Sequence, residues 1–172
     1  MRSRFVISFI AMIAIQVMLG GLINLSQYLV ISILPVMIIC LPITFSTSRV
    51  LLVAFLTSLV VDFFTDGAMG LSAVALLPVA FTRNALIRLV FGSELLSRRE
   101  DISIHKQGAG KVLLAILLAT TLYFLVFVPV DCAGTRPLSF IALRILLSVA
   151  VSTALSYYVA GVLSPREADR WS

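Results

Sequence analysis

Charge is scarce in this chain. Only 12% of its 172 residues are Asp, Glu, Lys or Arg, against roughly 25% in soluble globular domains. Histidine and tryptophan occur once each and cysteine twice. A single histidine excludes the clustered imidazoles of most catalytic metal centres, and two cysteines without a spaced Cys/His set exclude a structural zinc site. Cys40 lies inside an apolar run and Cys132 in a sequence that reads as a loop. Two free thiols are therefore expected rather than a disulfide.

Catalytic motifs are also missing. His105 has no Ser or Cys partner at a recognisable spacing and reads as a solvated loop residue. The "GAGK" at Gly108–Lys111 imitates the end of a phosphate loop. His105 stands where that loop needs its first glycine, however, and Val112 where it needs Ser or Thr. No enzyme activity and no cofactor are expected.

Apolar residues are abundant: 60% of the chain is hydrophobic, and the mean hydropathy is +1.12. Such a chain reads as one integral membrane domain over residues 1–172. Six stretches approach the ~20 apolar residues that a helix needs to cross a bilayer. They are 5–25, 28–45, 50–64, 71–91, 112–130 and 140–163. The third is short and has room to extend. The predicted fold class is an all-α integral membrane protein with six transmembrane helices.

Lys and Arg set the orientation. With the N-terminus inside, inner segments hold nine of the thirteen: Arg2, Arg4, Arg49, Arg98, Arg99, Lys106, Lys111, Arg166 and Arg170. The outer loops hold only Arg136, and Arg83, Arg88 and Arg144 fall within spans. Both termini are expected in the cytoplasm. The one long polar segment, 92–111, is basic and has the composition of an interfacial helix beside membrane lipids.

Ionisable groups within a membrane are costly and call for a reason. In "LVVDFFTDGAMGLSAV", Asp62 and Asp66 lie one helical turn apart near the end of the third span. Arg144, a few residues into the sixth span, should lie at similar depth, and an Asp62–Arg144 pair, direct or bridged by water, is the expectation. Asp66 reads as solvated. Arg83 lies roughly 15 Å from the inner end of its span, beside Asn84 and below Pro78. Arg88 is near enough to that end to reach the phosphates. Pro35 and Pro42 should free carbonyls in the second span, and these are candidate acceptors for Arg83.

The stretch "LTSLVVDFFTDGAMGLSAVALLPVAFTRNALIRL", 56–89, resembles the rod-shape-determining protein MreD family. That family carries an Asp near the end of its third span, a short polar turn, and Gly-Leu opening the next span. Asp62, Gly70 and Leu71 match those places, and Arg83 and Arg88 match its arginine-containing fourth span. The match departs at Ser58, where the family often has glycine, and at Ser72, near a histidine of some members. The resemblance implies a fold similar to the substrate-binding component of energy-coupling-factor transporters. It also implies a non-enzymatic scaffold in the bacterial inner membrane that binds the periplasmic coiled-coil protein MreC. Links would follow to MreB, RodA and its penicillin-binding transpeptidase in peptidoglycan synthesis. Asp66, in the turn facing the periplasm, would be a contact for MreC. The alternative implied by the shared fold is a substrate-binding membrane subunit of a vitamin transporter.

Overall fold

A computed structural model describes residues 2–23, 29–65, 68–92, 108–133 and 136–163. The described residues form helices α1 (Arg2–Ile23), α2 (Leu34–Ile39), α3 (Thr47–Phe64), α4 (Leu71–Phe91), α5 (Ala109–Cys132) and α6 (Leu138–Leu163), with no strand among them. Four of these, α3 to α6, are long and apolar enough to cross a membrane. α1 carries a shorter apolar stretch, Ile7–Gly21. Large apolar side chains such as Phe63, Phe64, Phe81, Leu89, Leu146 and Tyr158 are exposed on the outside of the bundle. Apolar patches of this extent on a protein surface mark a face that meets lipid or another protein rather than water.

The expected helices over 50–64, 71–91, 112–130 and 140–163 are present, three of them longer by two or three residues at one or both ends. The expected second span, 28–45, is not one helix. Residues 29–33 are non-helical, α2 lasts only six residues, and turns follow to Ser46. Proline explains both limits. Pro35 lies in the first turn of α2, where its missing N–H costs nothing. Pro42 cannot donate to continue the ladder, and its ring turns Leu41 away from helical angles.

The short helix lies at the centre of the molecule. All six of its residues are buried, and it touches every other helix, α5 and α4 most extensively. α5 joins α4 on one side and α6 on the other, while α1 makes the lightest contacts. Small buried residues, Ala75 and Ala80 on α4 and Ala115 and Ala119 on α5, allow close helix approach.

Two side-chain contacts fix the register of α3 against α4. At one end Asp62 meets Gly70 and Ser72. At the other, Asn84 Nδ2 donates to Thr47 Oγ1 at 3.2 Å. The two helices therefore run antiparallel. The end of the bundle that holds the α3–α4 and α5–α6 turns is termed the hairpin end below.

Candidate functional site

Non-helical backbone inside an apolar bundle must find hydrogen-bond partners, because an unpaired amide in such surroundings costs several kcal/mol. Here the partners are side chains of α1 and α6. Gln16 Oε1 accepts from Ile33 N at 2.7 Å, and Gln16 Nε2 donates to the Ile31 carbonyl at 3.4 Å. Ser148 Oγ accepts from Val30 N at 3.0 Å and Ser152 Oγ from Ser32 N at 3.1 Å. The two serines lie four residues apart, and their partners two apart. A rise of ~1.5 Å per helical residue matches ~3.3 Å per extended residue in that ratio. The α6 face thus serves as a ladder for residues 30–32.

Below this segment, α2 ends with carbonyls that no helical N–H can reach. Arg83, 1% exposed, supplies donors. Its guanidinium Nη2 donates to the Ile39 carbonyl at 3.3 Å and closely to the Leu41 carbonyl. This is the role anticipated for Arg83 from the prolines of the second span. Arg88, in the last turn of α4, is exposed, and its carbonyl accepts from Gly92 N at 3.0 Å.

At the hairpin end, Asp62 is 5% exposed. Its Oδ2 accepts from Gly70 N at 2.9 Å and from Ser72 N at 3.1 Å. These amides belong to the N-terminus of α4, where helical N–H groups lack partners and negative charge is favoured. Gly70 has φ 91°, a left-handed conformation that a side chain disfavours, and this turns the chain into α4. Asp62 and Gly70 therefore form one corner. Asp66, expected beside them, lies outside the described residues.

Asp62 and Arg144 make no direct ion pair. Arg144 Nη1 instead meets Asp131 Oδ2 at 2.7 Å and approaches Cys132 Sγ at 3.5 Å. The depth expected for Arg144 holds, but its partner differs. α5 continues as helix through Asp131 and Cys132, which sequence reading left in a loop, and this brings a carboxylate to Arg144 on α6. Cys132 is consequently buried, Cys40 lies in the turn after α2, and neither is in a disulfide.

Asp62 and Arg144 do line the same cavity, with a volume of about 160 Å³. Gln16, Ser32, Ser72, Tyr123 and Asp131 contribute further polar groups to its wall, and Leu29, Val61 and Phe127 apolar ones. Tyr123 is 1% exposed, and its hydroxyl interacts with the side chains of Ser72 and Ser32. Sequence reasoning missed Gln16, Tyr123 and Asp131. The available signals were a lone amide midway along an apolar run and the four-residue spacing of Ser148, Ser152 and Ser156. Among the described residues, no three His, Cys, Asp or Glu side chains converge as a metal site.

The described residues are helical without strands, and four of the helices are long and apolar enough to span a membrane, consistent with a multi-pass membrane protein. Compared with models of known protein families, with curated proteins and with solved structures, the chain matches none.

Proposed function

We propose that this chain is a non-enzymatic scaffold of the bacterial rod-shape machinery, of the MreD type. It would lie in the inner membrane, bind MreC and support peptidoglycan synthesis. The observation that carries this reading is the corner made by Asp62, Gly70 and Ser72. Two of the residues on which the resemblance rests, Asp62 and Gly70, act together as one structural unit at an exposed end of the bundle. The other ionisable groups support the same reading. Arg83 is engaged with backbone carbonyls and Arg144 with Asp131.

In this reading the chain crosses the membrane six times. Residues 29–39 serve as the second crossing without forming a long helix. Four non-helical residues at up to ~3.3 Å each, then Ile33 with helical angles and the six residues of α2 at ~1.5 Å each, reach at most about 24 Å, against the ~30 Å of a hydrocarbon core. The excess of Lys and Arg then puts both termini in the cytoplasm and the hairpin end in the periplasm, on MreC's side.

The polar cavity favours a second reading, the substrate-binding subunit of a vitamin transporter. Its volume of about 160 Å³ weighs against this, since pockets for molecules of that size run to roughly 300–1,000 Å³. Affinity purification of the tagged chain in mild detergent separates the two. Recovery of a periplasmic coiled-coil protein with a RodA-like polymerase supports the scaffold. Recovery of paired ATPases with a membrane coupling subunit refutes it.

A further inference from the structure

The cavity at the hairpin end has an unbalanced charge. Among the described residues, three charged side chains line it: Asp62, Asp131 and Arg144. Arg144 and Asp131 neutralise one another at 2.7 Å, which leaves Asp62 without a charged side-chain partner among the described residues. Asp62 Oδ2 is occupied by two amides, and Oδ1 accepts no hydrogen bond among the described residues. A carboxylate that is 5% exposed, lines a cavity and has a second oxygen with no hydrogen bond from any described residue suits a cation with hydrogens to donate.

We propose that this cavity binds a primary ammonium group on a short carbon chain, of the kind ethanolamine carries, with Asp62 as its counter-charge. The inference does not depend on the scaffold reading. An ammonium has three donors and no acceptor. The wall offers Asp62 Oδ1 and the hydroxyls of Tyr123, Ser32 and Ser72 as acceptors. Leu29, Val61 and Phe127 offer apolar surface for methylene groups. An inorganic divalent ion fits less well, because it requires six or more oxygen ligands and usually several carboxylates. The size also agrees. A cavity of ~150 Å³ can hold a six-carbon ring, so about 160 Å³ has room for an ammonium and a few carbons. Two sources carry this chemistry at a membrane surface, the headgroup of an ethanolamine phospholipid and a free small amine.

The test uses the purified full-length chain in detergent, stripped of lipid. Native mass spectrometry measures retention of phosphatidylethanolamine and phosphatidylcholine with identical acyl chains, and calorimetry measures free ethanolamine and choline. Choline's trimethylammonium keeps the charge and removes the donors. The expected result is at least a tenfold preference for the primary ammonium over its trimethyl counterpart. Asp62→Asn, which keeps an acceptor for Gly70 and Ser72, should abolish that preference, and Tyr123→Phe should weaken it several-fold. A preference seen only among phospholipids assigns the site to the headgroup. Saturable ethanolamine binding without lipid assigns it to a soluble amine. Equal binding of primary and trimethyl forms from both sources overturns the proposal and leaves a water-filled cavity. An unchanged preference in Asp62→Asn overturns it too. If that variant does not fold, the wild-type comparison and Tyr123→Phe decide, and the proposal falls if neither shows discrimination.

Discussion

Replacing Asp62 tests how the corner at the hairpin end is held. Its Oδ2 accepts from Gly70 N and Ser72 N at 2.9 and 3.1 Å in a site where the side chain is 5% exposed. A hydrogen bond to a charged group contributes ~1.5–3 kcal/mol, and an anion at a partly buried helix N-terminus up to ~2 kcal/mol. Against these stands the cost of keeping a carboxylate from water, which is several kcal/mol per ion. Asp62→Ala removes both sides of that balance and leaves two amides to the neighbouring cavity. The expected net loss is about 2–3 kcal/mol, toward the upper end of measured losses for a helix cap. Asp62→Asn keeps a neutral acceptor and should cost about 1 kcal/mol. Hydrogen exchange reads this locally. A loss of ~2 kcal/mol lowers protection at Gly70 and Ser72 by about 30-fold, while amides at the far end of α4 change less. Unchanged protection at these two amides in Asp62→Ala would refute the capping argument. So would an Asn variant as damaged as the Ala variant.

Other substitutions probe the remaining contacts. Arg83→Leu strands the Ile39 and Leu41 carbonyls and should cost about 2–5 kcal/mol in unfolding measurements, since each unpaired buried group costs ~1–3 kcal/mol. Arg83→Lys should recover part of that. A double-mutant cycle should find coupling of about 1 kcal/mol between Asp131 and Arg144 and close to none between Asp62 and Arg144. A coupled Asp62–Arg144 pair would restore the expectation from depth alone. Gly70→Ala, at φ 91° with open space around the position, should lose ~1–2 kcal/mol from backbone strain, and Gly70→Asn less. Gly20→Ala would overlap the Thr65 methyl group. It should loosen α1 from α3, and Thr65→Ser should relieve the loss.

The long helices were legible because their signal is simple. Each is an apolar run of spanning length, and α4 begins and ends where the hydropathy does, at Leu71 and Phe91. The second span misled for a physical reason. Hydropathy registers burial, and Leu29 to Ile33 are buried or half-buried whether extended or helical. What distinguishes the two states lies on other helices, in Gln16, Ser148 and Ser152, which answer the unpaired amides. Arg83 was interpretable because Pro42 announces the break that creates its acceptors. Arg144 does share a cavity with Asp62, but its direct partner Asp131 was not foreseen, because depth says nothing about how far α5 continues past Val130. The basic segment 92–111 falls largely outside the described residues, as does Asp66.

The scaffold reading is tested most directly at the hairpin corner itself. Met69, 68% exposed beside Gly70, can be replaced by a photo-cross-linking amino acid and irradiated in growing cells. The account predicts one dominant adduct, with a periplasmic coiled-coil protein of the MreC type, which is lost when Gly70 is also changed to a bulky residue. Adducts with a transporter's coupling subunit, or an MreC-type protein that never cross-links from this corner, would contradict it.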